Sequence, residues 1–173
     1  MTNPLEVIDQ GTALTFGFDD ALRYHGPLAP GGVAHAYKVL ERALPALAQD
    51  GPVERRDVVI TTSHGGPGVR DTFELVTRAV TEGRYTVDST LRRPERGRTM
   101  EIYVFRLDYR GQSVTLVIRD GFVVDEYITL SRKADRSAAE DERLVVVKQE
   151  MADRVMAACA EEVYDIVPSM RSV

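Results

Sequence analysis

Two histidines of this chain stand among turn-forming residues directly ahead of strongly periodic segments. The first lies in Tyr24-His25-Gly26-Pro27-Leu28-Ala29-Pro30-Gly31-Gly32, the second in Thr61-Thr62-Ser63-His64-Gly65-Gly66-Pro67-Gly68. The start of a helix presents backbone N–H groups without intrahelical partners and a partial positive charge, so it suits an anion, a carboxylate ligand or a metal-bound oxygen. An imidazole at such a place can accept or donate a proton near neutral pH, or ligate a metal through a neutral nitrogen. Asp71 follows the second loop and falls within the first turns of the helix expected there, where it can orient an imidazole or a metal-bound water. The backbones of Gly31, Gly32, Gly66 and Gly68 are the expected ligand cradle. His64-Gly65-Gly66-Pro67-Gly68 lacks the lysine and hydroxyl of a Walker motif and the spacing of a dinucleotide fingerprint, so it reads as an anion-tolerant turn and no more.

The elements that must position these loops follow from periodicity. Asp19 to Tyr24 reads as a short helical turn. Val33, Tyr37, Leu40, Leu44 and Leu47 recur on one helical face, with Pro45 expected to kink or end that helix. Asp57 to Thr62 is an apolar, β-branched run suited to a buried strand, and Val69, Phe73, Val76 and Val80 restore the helical spacing up to Gly83. Tyr85, Val87, Ser89 and Leu91 alternate with polar residues as a strand does. Thr99–Tyr109 and Ser113–Arg119 flank a Tyr109-Arg110-Gly111-Gln112 turn and predict an antiparallel hairpin, with a further strand over Phe122 to Leu130. Arg132 to Asp141 reads as an exposed connection, and Arg143 to Val167 as mainly helical. Residues 1–15 are expected to be extended. The expected fold is α+β: one domain with a central, largely antiparallel sheet packed by helices, and with His25 and His64 converging at one edge.

Composition narrows the function. A chain of 173 residues with 43% hydrophobic content buries a sufficient core without disulfides or a structural metal. A net charge of -5 gives no electrostatic reason to bind nucleic acid or an anionic membrane. The single cysteine, Cys159, excludes an internal disulfide and is expected as a small buried hydrophobe on a helical stripe. With neither a secretory leader nor a run of about 18 apolar residues, the expected location is cytoplasmic. His35 is expected as a partly exposed or capped side chain, and Arg92-Arg93-Pro94-Glu95-Arg96-Gly97-Arg98 as a solvated loop. Val145, Val146, Val147, Met151, Val155, Met156 and Cys159 exceed one narrow apolar stripe and point to a homodimer.

The run His25-Gly26-Pro27-Leu28-Ala29-Pro30-Gly31, followed by Ala36-Tyr37-Lys38-Val39-Leu40, resembles the signature of the formylmethanofuran dehydrogenase FmdE family, a His-Gly-His-x-Cys-Pro-Gly segment leading into a helix. Further similarity lies in Val58–Ile60, Asp71–Val80, Leu91–Arg106 and Glu161–Val167. The FmdE-like resemblance implies binding of a small ligand or of a divalent metal such as zinc, a role accessory to redox-cofactor metabolism, and a homodimer. His25 and Asp71 match positions of that pattern, and His64 is available as a replacement ligand. Pro27 stands where the family has its second histidine and Ala29 where it has its cysteine, and no cysteine occurs between Ser63 and Arg70. The reading of another class is a metal-independent enzyme in which His25 or His64 is general acid or base on a small anionic substrate and the helix starts stabilise the developing charge.

Overall fold

A computed structural model describes residues 2–168. The architecture is α+β, as expected, and its element order is β1 (Leu5–Asp9), β2 (Thr12–Phe16), α1 (Phe18–His25), α2 (Pro30–Leu47), β3 (Val58–Thr62), α3 (Pro67–Thr77), β4 (Tyr85–Val87), β5 (Val104–Tyr109), β6 (Gln112–Ile118), α4 (Asp125–Arg132), α5 (Ala138–Ala157), α6 (Ala160–Val163) and β7 (Tyr164–Val167). The N-terminal residues form the β1–β2 hairpin. The main sheet runs β4-β3-β5-β6-β7, with β3 and β4 parallel and every other pair antiparallel.

Helix α2 occupies the middle of the molecule, against α3, α5 and the sheet. Pro30 opens it with the φ a helix needs and no N–H to leave unpaired. Its apolar content is nearly all-round, so Val33, Ala36, Tyr37, Val39, Leu40, Ala43 and Leu47 are each at most 1% exposed. Pro45 lies in the last turn and the helix closes at Leu47. One continuous cluster of buried side chains joins α2 to Ile60, Phe73, Val76, Phe105, Leu107, Leu116, Met151 and Tyr164.

Several expected boundaries move. Helix α3 stops at Thr77, not Gly83, because Arg78 adopts the left-handed conformation (φ 61°) and the Thr77 hydroxyl takes the Ala79 N–H. Val80 accordingly falls outside it and is only half-buried. Strand β4 ends at Val87, where Asp88 accepts from the Thr90 N–H and starts a 3-10 turn through Ser89 and Leu91. The β5–β6 hairpin turns on Arg110 (φ 46°) and Gly111 (φ 81°), the two positive dihedrals of a two-residue hairpin turn.

Phe122–Leu130 is not a strand. Asp125 and Glu126 supply the acidic first turn of α4, which buries Ile128 and Leu130. The Ser137–Glu140 capping box starts α5 inside the expected connection, and the terminal region breaks at Ala157, reforms as α6 and becomes strand β7 on the edge of β6. Cys159 is exposed, the N-cap residue of α6, with Glu162 accepting from its backbone N–H.

Burial alternates along β3. Val58 and Ile60 are fully buried, while Val59 is 39% exposed. Ile60→Ala should therefore cost about 2 to 5 kcal/mol of unfolding free energy, whereas Val59→Ala should stay within about 1 kcal/mol. Equal losses for the two substitutions in chemical denaturation would contradict this register.

Candidate functional site

Segment 25–32 lies along the start of α3, and three contacts fix its course. His25 meets Asp71; a Cβ added at Gly68 would stand 2.6 Å from the Ala29 carbonyl oxygen; a Cβ at Gly32 would stand 3.3 Å from the Val69 nitrogen. Two helix starts thus cross where both backbones lack side chains. Neither α2 nor α3 has a side-chain cap or an acidic residue in its first turn, and each begins with proline. The glycines have packing reasons beyond any ligand. Gly31 faces Met151, whose methyl would lie 2.6 Å from an added Cβ, and Gly66 faces the His64 ring at 2.5 Å.

His25 is the last residue of α1, ahead of Gly26 with φ 86°, and its side chain is only 3% exposed. Its Nδ1–H donates to Asp71 Oδ2 at 2.8 Å, and Arg70 donates to the other oxygen, Oδ1, at 3.2 Å. A carboxylate accepts only, so this contact places the proton of the neutral ring on Nδ1 and leaves a lone pair on Nε2. That Nε2 is buried and has no hydrogen-bond partner among the described residues.

His64 leaves the end of β3 and is held by the polar residues before it. Its backbone N–H donates to Thr62 Oγ1 at 3.0 Å, the Thr62 hydroxyl donates to the Val104 carbonyl, and the Ser63 hydroxyl donates to the Ile102 carbonyl. The Gly66 N–H, at the N-cap of α3, donates to His64 Nδ1 at 3.0 Å. His64 therefore carries its proton on Nε2 when neutral, the reverse of His25. Burial pushes its pKa down to about 4, so the ring is neutral at physiological pH.

Beyond His64 lies a set of rings that sequence reasoning did not assemble. Tyr103 stands between His64 and His35, with centroid separations of 4.7 and 4.8 Å. His35 is fully buried, not partly exposed, because it sits on the face of α2 turned to the sheet. Its Nδ1 shares a 2.8 Å hydrogen bond with the Tyr164 hydroxyl, and its Nε2 has no partner among the described residues. Burial, reinforced by His64, pushes the His35 pKa down to about 3; burial likewise raises the Tyr103 and Tyr164 phenols. The available signal was placement: His35 lies one turn past Gly31 and Gly32 in a helix apolar on nearly every face.

The sequence-predicted residues thus fall into two groups. His25 and Asp71 are brought together, whereas His64 is committed to Gly66 and packs on Tyr103. The basic run from Arg92 to Arg98 contains one 3-10 turn, Pro94–Arg96; Arg92 pairs with Glu101, Arg96 donates to the Ile118 carbonyl and Arg98 pairs with Asp125. No helix among the described residues is long and apolar enough to cross a membrane.

The residues present do not fit zinc. Pro27 and Ala29 offer no ligand atom, the Gly66 contact leaves the proton of neutral His64 on Nε2, and among the described residues no group of three or more His, Cys, Asp or Glu is placed to hold a metal ion. Compared with known proteins, the sequence matches no family model and no curated protein.

Both buried imidazoles bear on stability. His35 and His64 stay neutral in the folded chain but protonate near their ordinary value of 6.5 once unfolded. Between pH 6.5 and about 4 the unfolded chain binds more protons, so the stabilisation is full above pH 6.5 and is lost as pH falls. The expected steepest slope is about 1.4 kcal/mol per pH unit for each ring. His64→Asn should roughly halve it. Unfolding free energies that are flat from pH 7 to pH 5 would contradict the neutral assignments.

Proposed function

We propose that this chain is a cytoplasmic small-ligand-binding protein, similar in role to the formylmethanofuran dehydrogenase FmdE family, whose ligand is a small polar molecule recognised by His25 and His64. One observation carries the reading: in their neutral forms the two rings are held by their partners in opposite tautomers, with a lone pair on His25 Nε2 and a proton on His64 Nε2. The rings attach at different points along α3. Gly66 and Asp71 are five residues apart, roughly 7.5 Å along a helix axis. Separate points of attachment suit an organic molecule carrying an acceptor and a donor better than a single shared ion. The two uncapped helix starts add a preference for negative charge on the acceptor end.

The Asp71–His25 pair also favours a second reading, in which His25 is the general base of an enzyme acting on that molecule. A carboxylate that fixes the tautomer and stabilises the imidazolium is the support such a base needs. Native mass spectrometry of protein purified under mild conditions separates the two. The binding reading expects a retained small molecule, free of zinc, that is lost in both His25→Asn and His64→Asn. The catalytic reading expects His25→Asn to retain the molecule while turnover stops. Stoichiometric zinc in the wild-type protein, or no retained molecule and no turnover, would overturn both.

We also propose a homodimer through α5. Val145 and Val146 are 68% and 47% exposed and, with Leu28 at 64%, line an apolar groove of about 510 Å³ between α5 and the loop after α1. Light scattering should return twice the chain mass of 19.2 kDa at micromolar concentration, and Val145→Glu should return the monomer. A wild-type monomer across that range would reject it.

A further inference from the structure

A cleft of about 520 Å³ opens on the side of the molecule where the β1–β2 hairpin packs against the second half of α2. Its volume lies in the range of about 300 to 1,000 Å³ in which small molecules are bound. The floor is aliphatic, made by Leu5, Leu40, Leu44 and Val53, all at most 6% exposed. Pro4, Pro45 and Pro52 line it as well, and proline offers no backbone N–H, so the chain is locally stiff and short of donors.

The polar groups that remain are mainly acceptors. Glu6 and Glu41 both line the cleft, and among the described residues no lysine, arginine or histidine does. Pro45 cannot donate to the carbonyl of Glu41 four residues earlier, so that oxygen lacks its helical partner. The Glu41 side chain is held in place, one oxygen accepting from the buried Lys38 ammonium at 2.8 Å and the other from the Asn3 N–H at 3.3 Å. Lys38 neutralises much of that carboxylate, which leaves Glu6 as the uncompensated charge at the mouth. A ligand that satisfies this lining has an apolar body and a donor-bearing, positively charged end.

We propose that this cleft is a binding site for a small aliphatic amine in its ammonium form, separate from the histidine loops. An alkyl chain would cover the leucines and valine, and the ammonium would donate to the Glu6 carboxylate. The opposite charge is disfavoured, because an alkyl carboxylate would meet the uncompensated Glu6 and no cation in the wall.

The test is a titration of the full chain with n-hexylammonium, hexanoate and hexanol, followed by backbone NMR shifts. The expected result is saturable binding of hexylammonium at least five-fold tighter than hexanoate, with shifts concentrated at Leu5, Ala48 and Val53. Ala48→Trp, which fills the cleft, should abolish binding. Glu6→Gln, a substitution at an exposed position that leaves the fold alone, should weaken hexylammonium several-fold without changing hexanol. Binding of hexanoate or hexanol as tight as hexylammonium, shifts centred on the histidine loops or on Val145, no response to Glu6→Gln, or no saturation would each overturn the proposal. None of these results depends on whether His25 and His64 hold a ligand.

Discussion

The approach of α2 to α3 is the constraint on which the rest depends. A side chain on Gly68 would collide with the Ala29 carbonyl, and that oxygen cannot retreat because it accepts the first helical bond of α2, from Val33. Close contact brings the loop of His25 within reach of Asp71 and sets the Gly66 N–H against His64. It also juxtaposes two partial positive charges of the same sign. Most helix starts elsewhere among the described residues are compensated by nearby carboxylates, as at Asp20 in α1, Asp125 in α4 and Glu140 in α5. These two helix starts have no such carboxylate in their first turns, so an anionic group on a ligand would relieve a repulsion built into the fold.

The other organising feature is the stack of rings behind the loops. His64, Tyr103 and His35 form a continuous file from the end of β3 to the middle of the core, and Tyr164 ties its inner end to the edge of the sheet. Buried polar atoms without partners oppose folding by about 1 to 3 kcal/mol each. The file contains one at His35 Nε2, and His25 Nε2 is another nearby in the chain. Both belong to imidazoles whose remaining nitrogen is firmly held, so the orientation of each ring is set before any ligand arrives.

Much of this was legible in the residues. Period-3.6 spacing located α2 and the buried face of α3, and the Arg110-Gly111 turn located the hairpin of β5 and β6. The combination of histidine, glycines and proline marked both helix starts, and Asp71, expected to orient one imidazole or bind the same ion, meets His25. What was not legible depended on long-range contacts. The parity of β3 is decided by which face α2 covers, and Val58, Val59 and Ile60 are equally apolar. Phe122–Leu130 is β-branched enough to suggest a strand, yet acidic residues at its start and the packing of Ile128 and Leu130 make it helical. Glycines that look like a ligand cradle are first of all a crossing point. His35 appeared incidental because the residues that bury it, Tyr103 and Tyr164, lie 68 and 129 positions away.

That last separation sets a timetable for synthesis. The phenol that covers His35 leaves the ribosome 129 residues after the imidazole does, which at roughly 5 to 20 residues per second is about 6 to 26 s. Once β6 has emerged, its edge stays open until β7 follows, because β7 begins with the same tyrosine. The nascent chain therefore carries a hydrophobic helix, and later an unpaired strand, until Tyr164 emerges. During this period its solubility rests on whatever shields it, and only the arrival of Tyr164 lets the fold protect itself.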